Sequence, residues 1–183
     1  FHSWHLVPKA AICDPELTLG LPPQLTAATG MDAIAHCLET FMAPAVNPPA
    51  DGIGLDGLER GWANIERATR DGSDREARFN LMSASMEGAM AFQKGLGCVH
   101  SLSHSLGGVN PRLHHGTLNA MFLPAVVRFN AAAESIQRER PRHFSVDGGH
   151  VEGDRRAEAA PADDDPLRID FGPAAEVRQR RDA

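Results

Sequence analysis

From Gln24 onward, apolar residues recur at the three- and four-residue spacing of amphipathic helices. Proline and glycine clusters interrupt this pattern and mark where each helix begins or ends. The pattern predicts an all-α fold of five helices: one from Gln24 to just before Pro44, then 51–70, 75–94, 98–108, and a fifth from 117 that Pro124 kinks or divides.

Two segments without this pattern flank the helical region, which we assign to residues 22–139. Residues 1–21 are predicted to form a short extended N-terminal segment with a turn at Asp14-Pro15. Residues 140–183 are predicted to form a disordered tail, because 18 of these 44 residues are charged and only seven are Leu, Ile, Val, Phe or Met. So little apolar surface does not offset the entropy lost on ordering. The tail's composition also suggests the hypothesis that a shifted reading frame is translated there.

Composition and charge exclude several function classes. With 18 Lys and Arg against 24 Asp and Glu, the net charge is −6, so the chain lacks the basic surface of a nucleic-acid-binding protein. No apolar run approaches the ~20 residues of a membrane span, so we expect neither a membrane-spanning helix nor a signal peptide. Cys13, Cys37 and Cys98 form no CxxC pair, which favours a reduced, cytoplasmic setting.

The placement of the histidines is the main indication of chemistry. Asp32 and His36 lie four residues apart on a predicted helix and therefore share a face, and His100 and His104 repeat that spacing. One carboxylate with several imidazoles suits Fe²⁺ or Zn²⁺ better than Mg²⁺ or Ca²⁺. The alternative is that these spacings arise by chance and that the histidines are ordinary core or surface residues.

Several residues near this constellation are better interpreted as packing residues. Cys37 and Cys98 flank the histidines and are predicted to be small buried side chains. Met82, Met86 and Met90 recur at helical spacing in the third predicted helix, which favours core positions over a binding surface.

The sequence motifs around the histidines resemble those of the iron-containing alcohol dehydrogenase family. The resemblance extends from about residue 6 to about residue 139, roughly three quarters of the chain. Two ordered groups of motifs carry it: DPELT at 14–18, LPP at 21–23 and TAATGMDAIAH at 26–36, then GCVHSLSHSLG at 97–107, HG at 115–116 and NA at 119–120.

The resemblance implies four metal ligands, which are Asp32, His36, His100 and His115. His115 is preferred over His114 because the family's ligand is followed by glycine, as His115 is here. The stretch between His104 and His115 looks one residue longer than in some members, so His114 stays open as the fourth ligand.

Two further residues receive roles by the same comparison. His104 matches a family histidine near the nicotinamide and substrate, and is a candidate proton relay rather than a ligand. Glu39 lies three residues after His36. It could contact a metal ligand without binding the metal itself. The sequence favours the other interpretation, a solvated charge on the helix.

By resemblance, this chain is the helical C-terminal metal-binding domain of an enzyme that transfers hydride between an alcohol and NAD or NADP. The metal would be Fe²⁺, with Zn²⁺ as the alternative, and the partner a small alcohol, aldehyde or ketone. We expect the family's N-terminal dinucleotide-binding domain to be absent here, because the sequence contains no glycine-rich phosphate loop. The pair Gly107-Gly108 is interpreted as the end of a helix. The isolated chain is therefore expected to be inactive.

Two other functions remain open at this point. A helical metal-dependent hydrolase could use the same Asp and His residues to activate water. A non-catalytic remnant would retain the helices but bind no metal. Helix faces that a missing domain leaves exposed would favour a homo-oligomer.

Overall fold

The computed structural model describes residues 3–132, which form five α-helices and contain no β-strand. The helices are α1 (Pro23–Met42), α2 (Pro48–Arg70), α3 (Arg75–Ala91), α4 (Cys98–Val109) and α5 (His115–Asn130). The all-α prediction is confirmed for this part of the chain. The predictions for 133–139 and for the tail at 140–183 lie outside the described residues.

The N-terminal segment is irregular rather than extended throughout. It contains two short 3₁₀ turns, Trp4–Leu6 and Pro15–Thr18. The Asp14 side chain accepts a hydrogen bond from the Glu16 amide and so caps the second turn. The predicted turn at Asp14-Pro15 is thus the start of a helical turn.

Helix α2 begins earlier than predicted, at Pro48 rather than at residue 51. The Asn47 side chain accepts a hydrogen bond from the Ala50 amide and caps the helix. Pro48 and Pro49 fit the first turn, because backbone amides there have no helical partner to lose. Prolines that the sequence analysis interpreted as ending α1 therefore also open α2.

The connection between α3 and α4 is tight. The α-helix stops at Ala91, and a 3₁₀ turn, Phe92–Lys94, replaces the predicted last turn. Gly95 follows with φ of +96°, a conformation that favours glycine. This turn redirects the chain into α4.

Helix α5 begins at His115 and continues without division through Pro124. The predicted start was residue 117, so His115 and Gly116 both belong to the first turn of the helix. Because His115 is helical, Asn119 lies on the same face one turn later.

Helix α1 lies at the centre of the fold and packs against α2, α3 and α5, while α4 packs against α5. The apolar core forms where these helices meet and consists of Ile34, Ala35, Cys37, Leu58, Val99, Leu123 and Val126. No helix in residues 3–132 is both long and apolar enough to cross a membrane.

The predicted core face of α3 is wrong. Met86 and Met90 are 43% and 53% exposed, and Met82 is only half-buried. Small residues are buried instead, at Ala77, Ala84, Gly88 and Ala91. This stripe lets α3 approach its neighbours closely, which leaves the methionines on the opposite side of the helix.

The packing prediction for Cys98 also needs correction. Cys98 is exposed at the start of α4, whereas Cys37 is buried as predicted. On α2, Trp62 is 58% exposed, while Leu58 one turn earlier is buried. The apolar residues of α2 are therefore only partly covered in the described residues.

One carboxylate in the α2–α3 interface should make stability depend on pH. Burial raises the pKa of Glu87 to about 7, and the charge of Asp56 adds to the rise while Arg60 opposes it. The Oε2 atom of Glu87 is buried without a hydrogen-bond partner. The fold therefore favours the protonated carboxyl. Because the pKa in the folded chain exceeds the ordinary 4.5, stability falls as pH rises from about 4.5 through about 7.

We expect Glu87→Gln to remove this loss, so that the variant is more stable than wild type at about pH 8 but not at about pH 4. Urea denaturation at both pH values measures the difference. Glu76→Gln is the matched control, since the Glu76 side chain on the same helix is 75% exposed. Equal pH profiles for wild type and Glu87→Gln would contradict the prediction.

Candidate metal centre

Four predicted ligand residues lie together where α4 and α5 meet α1. Asp32 and His36 stand one turn apart on α1, His100 lies in the first turn of α4, and His115 opens α5. The structure thus gathers side chains from three helices that are distant in sequence.

The Asp32 carboxylate is at the centre of the group. Its Oδ1 atom lies 3.4 Å from His100 Nε2, 3.4 Å from His115 Nε2 and 4.0 Å from His36 Nε2. Potential ligand atoms of Asp32, His36 and His100 all lie within 4.8 Å of one another. These atoms are close enough to share one metal ion.

The imidazole rings pack against one another. His36 stacks on His100 with ring centroids 4.6 Å apart, and the His100 and His115 centroids are 5.2 Å apart. Phe92 lies nearly perpendicular to His36, with ring centroids 5.4 Å apart. Ring contacts on several sides limit how far these side chains can turn.

Asn119 is a member of the site that the sequence analysis placed in a family motif but to which it gave no role. It is fully buried, and its Nδ2 lies 2.5 Å from Asp32 Oδ1, 3.1 Å from His100 Nε2 and 3.0 Å from His115 Nε2. Its position four residues after His115 on a helix was the available signal.

Asp32 and His100 each shift the pKa of the other. Burial alone would raise the pKa of Asp32, but its hydrogen bond with His100 and the charge of His36 hold that pKa below the ordinary value. Burial likewise opposes a charge on His100, yet hydrogen bonds to Asp32 and Glu39 outweigh it and raise the pKa of His100 to about 9. A cation that binds His100 must therefore displace a proton.

The other two histidines are shifted in the opposite direction. Burial lowers the pKa of His36 and of His115, although the charge of Asp32 acts against the shift in both. Both imidazoles are therefore neutral at neutral pH, the state in which a histidine nitrogen can ligate a metal.

The two remaining histidines of this region are exposed. The His104 ring lies 4.8 Å from the His115 ring, centroid to centroid. It lines a cavity of about 400 Å³ together with Ser103, Gly107, Pro111, Leu113 and His115. His114 immediately precedes α5 as its N-cap, while His115 faces Asp32.

The expectation that Glu39 is a solvated charge is wrong. The Glu39 side chain is 0% exposed, and its Oε2 lies 2.5 Å from His100 Nδ1. Glu39 follows Asp32 by seven residues, or two helical turns, so it shares the face that carries Asp32 and His36. Helical spacing alone does not show that this face is buried at Glu39.

Comparison with known proteins decides the family. The family model described as "Fe-containing alcohol dehydrogenase family, C-terminal" matches residues 26–162. The chain belongs to the iron-containing alcohol dehydrogenase family. The resemblance read from the motifs is confirmed, and the family gives no support to the hydrolase alternative. The match continues past residue 139, so that boundary of the helical domain stays a prediction.

Three similar proteins show the range of the family. A 4-hydroxybutyrate dehydrogenase of Cupriavidus necator is 76% identical over 143 residues, covering 76% of this chain and 37% of that protein. A crystal structure of 1,3-propanediol oxidoreductase has a TM-score of 0.70 at 36% identity, over 80% of this chain and 39% of that chain. A sulfoacetaldehyde reductase of Bifidobacterium kashiwanohense, solved in complex with NAD⁺, has a TM-score of 0.64 at 27% identity, over 72% of this chain and 36% of that chain.

The chain spans 36–39% of the length of these relatives. All three are named as oxidoreductases, and the family uses metal and NAD in general. Small alcohols and carbonyl compounds are the substrates that their names imply.

The donor set fits the metal for which the family is named. It offers one carboxylate and three imidazoles, a set that Fe²⁺ and Zn²⁺ accept and that Mg²⁺ and Ca²⁺ disfavour. Asp32 Oδ1, His100 Nε2 and His115 Nε2 all lie within 3.1 Å of the buried amide nitrogen of Asn119. Three of the four candidate ligand atoms therefore converge on one point.

Proposed function

We propose that this chain supplies the metal-binding part of an NAD(P)-dependent alcohol dehydrogenase, with residues 22–139 as the metal-binding domain. Its ligands are Asp32, His36, His100 and His115. The carrying observation is the convergence of Asp32 Oδ1, His100 Nε2 and His115 Nε2 around one point. The nicotinamide would be held by a part of the enzyme that corresponds to the remaining length of the relatives.

When bound, a divalent metal would supply polarisation of the substrate oxygen, and a nicotinamide would exchange hydride with the substrate carbon. The chain's own residues prepare that centre. Asp32 is ionised and supplies negative charge, while the neutral imidazoles of His36 and His115 present free lone pairs. The Asn119 amide donates to Asp32 and holds the carboxylate in place.

His104 is the proton relay in this proposal. Its ring borders His115 on one side and is exposed on the other, so it can connect the site to water. Histidine exchanges protons readily near neutral pH. His104 would carry the proton that the alcohol loses, whereas the ligands stay bound to the metal.

A short primary hydroxy acid is the substrate class to test first. The supporting fact is that a relative with 76% identity is named a 4-hydroxybutyrate dehydrogenase. We also propose a cytoplasmic enzyme, with Fe²⁺ preferred over Zn²⁺. The exposed Met86 and Met90 support a face of α3 that is covered in the intact enzyme, by another domain or by a second copy.

Asp32→Ala should abolish stoichiometric metal in an otherwise folded full-length protein, because it removes the only carboxylate among the proposed ligands. Metal content is measured by inductively coupled plasma mass spectrometry after reconstitution with Fe²⁺ or Zn²⁺. Asp56→Ala is the matched control, since Asp56 is an exposed carboxylate on α2. Full metal content in Asp32→Ala would remove the proposed site.

The choice of fourth ligand is tested in the same way. We expect His115→Ala to lose metal and His114→Ala to retain it. Activity is tested with the metal-loaded full-length protein, 4-hydroxybutyrate and NAD or NADP, by following nicotinamide absorbance. If the protein binds neither Fe²⁺ nor Zn²⁺, the remnant interpretation replaces the dehydrogenase. If metal is bound but no alcohol changes the absorbance, the proposed function is wrong.

A further inference from the structure

The carboxylate of Glu39 lies buried beneath the first turn of α4. Its Oε1 accepts a hydrogen bond from the Val99 amide at 2.8 Å, and its Oε2 accepts from the His100 amide at 3.2 Å. The same Oε2 lies 2.5 Å from His100 Nδ1. One side chain from α1 thus holds both the backbone and the ring of His100.

The loop before α4 is shaped for this contact. A Cβ atom at Gly97 would lie 2.8 Å from Glu39 Oε1, closer than real Cβ contacts occur. Only glycine therefore lets the chain pass the carboxylate without moving it. Since both oxygens of Glu39 are already engaged, the carboxylate has little freedom to yield.

The two nitrogens of the His100 ring face different groups. Both oxygens of Glu39 accept hydrogen bonds from backbone amides, so the carboxylate is the acceptor towards Nδ1 as well, and Nδ1 carries a hydrogen. At the other end of the ring, Nε2 lies 3.4 Å from Asp32 Oδ1 and 3.1 Å from the Asn119 amide nitrogen. Nε2 is therefore the ring nitrogen that faces the proposed metal site.

We infer that Glu39 is a positioning residue that fixes His100 with its hydrogen on Nδ1, so that Nε2 is the atom that ligates the metal. The inference rests on the proposed function for the metal, but the contact that carries it is within this chain. A carboxylate behind a ligating histidine orients the ring and increases its basicity.

His115 has no carboxylate behind its ring. Its Nδ1 lies 3.4 Å from the hydroxyl of Ser103, which donates its hydrogen to the His100 carbonyl at 3.1 Å and can therefore only accept from His115. A neutral hydroxyl at 3.4 Å is a weaker acceptor than a carboxylate at 2.5 Å. Glu39 therefore holds His100 more firmly than Ser103 holds His115.

Glu39→Gln separates this role from simple burial, because the two side chains have nearly the same shape. If the amide oxygen faces His100, the amide nitrogen meets the Val99 N–H, donor against donor. If the amide turns over, its nitrogen meets Nδ1, which then becomes an acceptor and sends the hydrogen to Nε2. The first orientation loses the contact with the Val99 amide at the start of α4, and the second moves the hydrogen of His100 to Nε2.

The first measurement is the affinity for Zn²⁺, by competition with a chromophoric chelator, on the full chain. We expect Glu39→Gln to bind Zn²⁺ about 10- to 100-fold more weakly than wild type, the usual loss when such a residue is changed. Glu59→Gln, which alters an exposed carboxylate on α2, should bind as wild type does. Unchanged affinity in Glu39→Gln would overturn the inference while the proposed function stands.

The second measurement is a spectroscopic signature that a purely structural role would not move. In Zn²⁺-loaded protein with ¹⁵N-labelled histidine, wild-type His100 should show a slowly exchanging Nδ1–H and a metal-bound Nε2. A metal-bound Nδ1 on His100 in wild type would overturn the inference, whether or not Glu39→Gln folds. If Zn²⁺ shifts no histidine at all, the proposed ligand set fails and this inference with it.

A stability control completes the test. Arg78 is buried and hydrogen-bonds to Thr26, Leu21 and Gly72, none of which is a proposed ligand. Arg78→Met should therefore weaken the fold but leave both the Zn²⁺ affinity and the His100 signature unchanged. If Arg78→Met reproduces the loss seen in Glu39→Gln, general destabilisation explains that loss and the inference falls.

Discussion

Gly116→Ala should lower the free energy of unfolding by at least about 1–3 kcal/mol, the usual range for overpacking. Gly116 is buried in the first turn of α5 and packs directly on the backbone of α1. A Cβ atom there would lie 2.1 Å from the Ala28 carbonyl oxygen and 2.7 Å from its carbon. These are backbone atoms inside a helix, so they cannot turn aside as a side chain can. The two helices must separate.

The separation should also reach the candidate metal centre. Gly116 follows His115, and the same Cβ atom would lie 3.4 Å from Asp32 Cβ. Moving α5 outward therefore lengthens the distance between His115 and Asp32. We expect a lower Zn²⁺ affinity together with lower stability, measured by chelator competition and urea denaturation.

Gly108→Ala is the matched control for this substitution. A Cβ atom at Gly108 would meet nothing within 4 Å, and the residue is exposed in α4. Replacing an exposed helical glycine with alanine should stabilise the helix by up to about 1 kcal/mol. If Gly116→Ala behaves like Gly108→Ala, the packing of α5 on α1 is not as close as described.

Lys94→Met should cost about 3–5 kcal/mol of stability, the range for breaking a buried ion pair from one side. The Lys94 side chain is 1% exposed and forms an ion pair with Asp51, whose side chain is 6% exposed. Lys94 Nζ also donates to the Phe41 carbonyl at 3.3 Å. Without Lys94, the Asp51 charge stays buried without its cation.

The double variant Lys94→Met, Asp51→Leu identifies the cause of that loss. It removes both charges, so most of the stability should return, since apolar replacements of a buried pair are often neutral. Arg70→Met breaks an ion pair with Glu66 in which both side chains are more than 70% exposed, and it should have little effect. Urea denaturation of the four proteins tests the prediction. A double variant as unstable as Lys94→Met would contradict it.

The sequence predicted the helices because their apolar spacing and their proline and glycine boundaries are local properties. It failed on the core face of α3 for a physical reason. The large residues Met86 and Met90 carry most of the hydrophobicity, yet close packing selected the small residues Ala84 and Gly88. Hydrophobic periodicity measures hydrophobicity, not the distance at which two helices pack.

The residues of the candidate site could be predicted only where helical spacing or a family motif pointed to them. Asp32 and His36 share a helix face by spacing alone, and the family motifs supplied His100 and His115. Glu39 was wrongly expected to be a solvated charge, and Asn119 was given no role. Both depend on burial between helices, which pairs them with His100 across 61 and 19 residues of sequence. A solvated glutamate and a buried one look the same in a single sequence.

The origin of the donors on three different helices has a consequence for how the protein acquires metal. During synthesis, α1 emerges first and carries only Asp32 and His36, with the loosest of the three Asp32–histidine contacts, 4.0 Å. The other two histidines come within reach only after α4 and α5 have been made and have docked. Two donors on one helix retain a cation far less well than four in a closed arrangement. With the proposed ligand set, metal loading would follow folding, and a chain released before α5 is complete would lack His115 as a ligand.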